Sequence, residues 1–110
     1  PLVDKVYHPA IETSENHKIW KRDFTGSTGL FSFSLKKFYT QSKIKKMFSK
    51  ISIFKLGYSW GGYDSLITFP PLSKRKFKTL LKGNLIRVYC GLEDSSDQIK
   101  DIINSLKTLK

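Results

Sequence analysis

Gly57-Tyr58-Ser59-Trp60-Gly61-Gly62-Tyr63-Asp64-Ser65-Leu66 limits what the chain can fold into more than any other stretch. It is too rich in glycine to continue a helix or a strand. Apolar, strand-like segments flank it, residues 52–56 before and 65–69 after. A fold that contains it must carry two strands at the ends of a tight, irregular bend. The Gly61-Gly62 pair lets the backbone approach a neighbour closely, and Ser59 and Trp60 place a hydroxyl and an indole N–H just before it. The residues alone allow two outcomes, a tight turn with a core indole or a small concave binding edge.

The remaining elements follow from period and punctuation. Residues 2–7 read as a short opening strand stopped by His8-Pro9, because the residue before proline is pushed out of the helical region. Ser14, Glu15 and Asn16 offer caps for a helical turn or two through Ile19, Trp20 and Phe24. Residues 25–29 form a loop. A phosphate-cradling glycine loop is disfavoured there because no lysine of the P-loop kind follows. Residues 30–35 alternate as a strand, with Phe31, Phe33 and Leu35 on one face and Ser32 and Ser34 on the other.

Ile44, Met47, Phe48 and Ile51 recur at helical spacing over residues 40–51, with lysines on the other faces. Pro70-Pro71 ends the strand after the bend, and lysine-rich residues 72–82 read as a surface excursion. Residues 85–90 form the last strand, stopped by Gly91. A terminal helix follows, with a Ser95/Gln98 capping box, acidic residues at its start and an apolar stripe of Ile99, Ile102, Ile103 and Leu106. The expected fold is α+β, a small, mostly antiparallel sheet of four to five strands with helices packed on one face.

At 110 residues the chain makes one domain, residues 1–110, and its 39% apolar content fits a packed globule despite a net charge of +11. Seventeen of its twenty basic residues are scattered lysines. That is a general surface bias rather than an arginine-rich phosphate-reading face, so nucleic acid is not the expected partner. No apolar run is long enough to span a membrane and no signal-like leader is visible, so a cytoplasmic location is expected. Cys90 is alone, which excludes an internal disulfide and a cysteine zinc site, and it reads as a small core residue. His8 and His17 lack metal-ligand spacing, so no metal site is expected. The first residue is Pro1 rather than methionine, so the chain is expected to be a processed piece or a part of something longer.

Arg87 is the chemical anomaly. A strand of Leu85, Ile86, Val88 and Tyr89 should not carry a permanent charge at its middle unless that charge has a partner. The partner is an internal carboxylate such as Asp64 or Asp23, or open solvent, or a small carboxylate ligand gripped by the planar fork. With a ligand, Ser59, Trp60 and backbone N–H groups near Gly61 and Gly62 would complete the site. No nucleophile–base set accompanies them, so the residues bind rather than transform.

Four blocks carry a resemblance: Val6-Tyr7-His8-Pro9-Ala10, residues 19–33 beginning Ile19-Trp20-Lys21-Arg22-Asp23-Phe24, the bend at 57–66, and residues 85–94 around Arg87. In that order they closely resemble the C-terminal domain of the cystathionine beta-lyase branch of the pyridoxal-phosphate-dependent Cys/Met metabolism family, over nearly the whole chain. The resemblance implies that Arg87 holds the substrate α-carboxylate, that Ser59 and Trp60 act on the same group, and that Tyr58 lines the pocket. It implies elimination of a thiol from a cystathionine-like amino acid, with homocysteine, pyruvate and ammonia as products, in a homo-oligomer.

The cofactor is pyridoxal phosphate in the full-length family enzyme, bound by a large domain that has no counterpart in these residues. No catalytic or cofactor-binding residue is therefore assigned here, and none of the cofactor is expected on this chain alone. Asp64, Tyr89 and Cys90 depart mildly from the family pattern, which has glutamate, histidine and an aliphatic residue at those places. The rival readings are a non-catalytic remnant or interaction domain and, less favoured, a lysine-rich nucleic-acid binder.

Overall fold

The computed structural model describes residues 2–76 and 80–110. In chain order the elements are β1 (Val3–Tyr7), α1 (His17–Asp23), β2 (Leu30–Leu35), α2 (Gln41–Phe48), β3 (Lys55–Leu56), β4 (Leu66–Thr68), a 3-10 turn at Leu72–Lys74, β5 (Leu85–Tyr89) and α3 (Ser95–Lys107). The strands form one sheet in the order β1-β2-β5-β4-β3, antiparallel except for the parallel β3–β4 pair. This is the expected α+β architecture. Residues 77–79, within the lysine-rich excursion, lie outside the described residues.

The central strand β5 divides its side chains by the period of two. Ile86 and Val88 are buried on one face in a core cluster that also holds Phe33, Ile67, Ile44 and Met47 of α2, and Leu109 after α3. Leu85, Arg87 and Tyr89 point to the opposite face, with Ser32 and Thr68 directly across from Arg87 on the two neighbouring strands. The helical layer thus covers the face away from Arg87. The shorter α1 buries no residue, and Asn16 begins it without a side-chain capping bond.

Helix α2 keeps the expected buried stripe but ends at Phe48, so Ile51 lies beyond it. Thr40 caps it by accepting from the Lys43 N–H, Ile44 and Met47 are buried, and the lysines face solvent.

Helix α3 corrects the sequence expectation. Its N-cap is Asp94, whose carboxylate accepts from the Ser96 N–H at 2.8 Å, so no Ser95/Gln98 capping box forms. Ile99 and Ile103 are exposed, and the face turned inward carries Gln98, Asp101 and Ser105 beside the half-buried Ile102 and Leu106.

The segment before the bend is a second correction. Only Lys55–Leu56 joins the sheet, because the N–H groups of Ser52, Ile53 and Phe54 all donate to the Asp101 carboxylate instead of to a ladder. The strand after the bend is likewise shorter than the pattern suggests, Leu66–Thr68.

Parallel pairing of β3 with β4 explains the glycines. Lys55 pairs with Leu66 and Leu56 with Ile67, so residues 57–65 must carry the chain back alongside the strand it has just left. Parallel neighbours ordinarily need a crossover of a dozen or more residues, usually helical. A connection this short requires a sharp reversal, and Gly61 and Gly62 supply it at φ 101° and 118°, a region closed to most side chains.

Candidate carboxylate site

Arg87 reaches the bend. Its guanidinium donates to the Tyr58 carbonyl at 2.6 Å and lies 6.0 Å from the centre of the Tyr58 ring. The internal partners offered by the sequence are both engaged elsewhere. Asp64 accepts from Lys55 at 2.8 Å, which raises the Lys55 pKa, and Asp23 is held by Arg22 through bonds of 2.6 and 2.8 Å. Among the described residues no carboxylate is in ion-pair contact with Arg87. A half-buried guanidinium with one nitrogen spent on a carbonyl keeps N–H groups to offer an anion.

Ser59 and Trp60 stand on the exposed side of the bend, Trp60 74% accessible, and their hydroxyl and indole N–H have no hydrogen-bond partner among the described residues. The bend is a tight turn, but its indole lies outside the core. Tyr58 is also exposed, and it lines a groove with Phe48 of α2, Leu56 and Phe69. The structure brings Arg87 to Tyr58. It joins Arg87 to neither Ser59 nor Trp60 by a direct bond.

Sequence reasoning missed the groups that fix the two roots of the bend. At the entry, buried Asp101 accepts from the N–H groups of Ser52, Ile53 and Phe54 and from the Ser52 hydroxyl, at 2.8–3.1 Å. Burial alone would push its pKa up, yet these four donors hold it below the usual carboxylate range.

At the exit, buried Ser65 donates its hydroxyl to Glu93 at 2.6 Å and its N–H at 2.9 Å, and its oxygen accepts from Gly91 N–H and the Gln98 side chain. Gly91 packs so closely on the backbone of Tyr63, Asp64 and Ser65 that a methyl group there would overlap it. Ser65 and Glu93 lie 28 residues apart, and no local pattern couples them. Cys90, expected in the core, is half-buried against it, and burial pushes its thiol pKa up.

The Ser65 hydroxyl, followed by its N–H, pulls the Glu93 pKa down from 4.5 to about 2. A carboxylate with a depressed folded pKa contributes stability above its unfolded value and loses that contribution as pH falls through the folded one. The expected result is a urea midpoint that declines between pH 4.5 and 2, with a shallower decline in Glu93→Gln. Equal slopes for the two proteins would show that the Ser65–Glu93 contact does not couple to folding.

The Cys/Met metabolism PLP-dependent enzyme family matches residues 1–107. The chain belongs to that family. It is 43% identical to the cystathionine beta-lyase MetC of Escherichia coli K12, over 93% of this chain and 27% of that protein. It is 37% identical to the L-alanine/L-glutamate racemase of Wolbachia pipientis wMel, over 97% of this chain and 27% of that protein. A crystal structure of cystathionine gamma synthase from Xanthomonas oryzae pv. oryzae superposes with a TM-score of 0.80 at 24% identity, over 97% of this chain and 29% of that one. That likeness shows the shared fold. The chain spans about a quarter of the length of these curated relatives.

Pyridoxal phosphate, which the family uses, is held in such enzymes through an amine able to form an imine, and that amine must be shed of water and charge. Every lysine whose side chain is described here is solvent-exposed, and none meets that requirement. Among the described residues no lysine side chain fits the cofactor-holding amine.

Proposed function

We propose that this chain is the substrate-carboxylate part of a PLP-dependent carbon–sulfur beta-lyase acting on a cystathionine-like amino acid, completed by a large cofactor-binding domain outside these 110 residues. The observation that carries the reading is Arg87. It is a cation on the central strand, on the face away from α2 and α3, tied to the bend and, among the described residues, without a carboxylate partner. In this reading its free N–H groups take the α-carboxylate, while the Ser59 hydroxyl and the Trp60 indole N–H bond the same group and Tyr58 walls the pocket.

The cofactor, when bound, supplies the electron sink for carbanion chemistry. The role of this chain is orientation. Fixing the carboxylate fixes the direction of the Cα–H bond, and positioning of this kind contributes several of the roughly 7–11 kcal/mol available from proximity and alignment.

The relatives divide between lyase and racemase, so the reaction is the part to test. A chimera in which this chain replaces the matching segment of the Escherichia coli cystathionine beta-lyase should release pyruvate from cystathionine, while the chain alone should release none. A cofactor-loaded chimera that racemises alanine without releasing pyruvate would overturn the lyase reading.

A second reading, a free-standing interaction domain, is favoured by the apolar side chains clustered in sequence at the bend. Leu56, Tyr58, Trp60 and Tyr63 are all exposed. The carboxylate reading accounts for the same exposure as the face that the large domain covers, and a properly folded chimera without any cystathionine turnover would favour the second.

A further inference from the structure

Two side chains of β5 hold the tip of the bend, and only one of them belongs to the carboxylate site described above. Arg87 and Tyr89 lie on the same face of β5, about 7 Å apart along the strand. Arg87 donates to the Tyr58 carbonyl, and the Tyr89 hydroxyl donates to the Gly62 carbonyl at 3.1 Å. These two carbonyls bracket Ser59, Trp60 and Gly61. Among the described residues no other hydrogen bond reaches residues 58–62, and the next anchor is the Tyr63 carbonyl, which accepts from the Leu92 N–H at 2.9 Å.

Gly61 and Gly62 make the second attachment necessary. With φ 101° and 118° and no Cβ, they rotate at little cost, and nothing lies within 4 Å of where a Gly62 side chain would begin. Held only by Arg87 at Tyr58 and by the Leu92 N–H at Tyr63, the segment between would keep the rotations of both glycines, and Ser59 and Trp60 would move with them. The hydroxyl of Tyr89 removes that freedom.

We propose that Tyr89 is a positioning residue, which by holding the Gly62 carbonyl fixes where Ser59 and Trp60 stand to receive an anionic ligand. The proposal rests on the carboxylate reading of Arg87, Ser59 and Trp60. Tyr89 itself touches no substrate in it. Its contribution is preorganisation, since donors already in place are not immobilised at the cost of binding.

The test removes one oxygen. In the 110-residue chain, Tyr89→Phe keeps the ring and its packing while deleting the bond to Gly62. Backbone order parameters from nitrogen-15 relaxation are expected to fall for residues 59–62, from the rigid range near 0.85 toward the flexible range below about 0.6, with β5 and α3 unchanged. In the chimera with the Escherichia coli relative, Tyr89→Phe is expected to raise KM for cystathionine about fivefold to tenfold with kcat within about twofold. That split marks loss of binding common to ground and transition states.

A merely structural tyrosine would lower the unfolding midpoint and leave both the order parameters and KM in place, and that result overturns the proposal. So does a loosened bend with unchanged KM. Arg87→Ala in the same chimera separates the two levels. If it too leaves KM unchanged, the carboxylate reading itself fails, and the relaxation data alone decide whether Tyr89 holds the bend.

Discussion

Replacing Asp101 with alanine is expected to lower the unfolding free energy of the chain by about 3–5 kcal/mol, because several backbone N–H donors lose their acceptor at about 1–3 kcal/mol each. Asp101 is only 6% accessible and accepts from three consecutive backbone N–H groups and the Ser52 hydroxyl. Without it, those donors are left with neither a ladder nor the carboxylate. A domain of this size has about 5–15 kcal/mol in total, so the variant should stand near the edge of folding. Asp101→Asn should fall between alanine and the parent, because an amide keeps one acceptor oxygen but turns an NH2 toward the donors of the other.

The pKa of Asp101 is held below its ordinary value, so its contribution is present above the ordinary carboxylate range and is lost as pH falls through the folded value. Urea titration of the parent and both variants at neutral and acid pH measures this. An alanine variant within 1 kcal/mol of the parent would mean that residues 52–54 find other partners.

Asp101 also shows where reading the sequence stops. The sheet, both longer helices and the oddness of Arg87 were legible, because they depend on periods of two and 3.6 and on one charge among apolar neighbours. The inward face of helix α3, unlike its existence, is not legible, for a physical reason. Gln98, Asp101 and Ser105 are buried for their hydrogen bonds, whereas Ile99 and Ile103, the residues a hydrophobic stripe would choose, face solvent.

The same cause shortened the strand before the bend. Three N–H groups that look available for a ladder belong to a carboxylate 47–49 residues away. The roots and the tip of the bend are therefore set by Asp101, Ser65, Glu93, Gln98 and Tyr89, contacts that exist only once the chain has folded. Arg87 could be singled out from local pattern because its anomaly is local, and the apparatus that holds its partner segment could not.

Arg87 carries the largest expected effect on activity. In the chimera, Arg87→Ala should reduce kcat/KM for cystathionine by about 2–5 kcal/mol, the cost of truncating one partner of a hydrogen-bonded charge pair. At 1.4 kcal/mol per decade that is on the order of 30-fold to several thousand-fold. Two losses combine: the N–H groups offered to the α-carboxylate, and the 2.6 Å bond that ties Tyr58 to the central strand.

Arg87→Lys distinguishes them. An ammonium can bond the carboxylate or the Tyr58 carbonyl as a point charge, but it lacks the planar fork that serves two acceptors at fixed geometry. The lysine variant should therefore recover part of the KM effect and remain well below the parent in kcat/KM. Stability should change by less than about 1 kcal/mol in either variant, since the bond lies at an exposed position and no buried group is orphaned. An alanine variant that keeps kcat/KM within threefold would remove the guanidinium from the substrate. The face of β5 that carries it would then have to be explained as a docking surface.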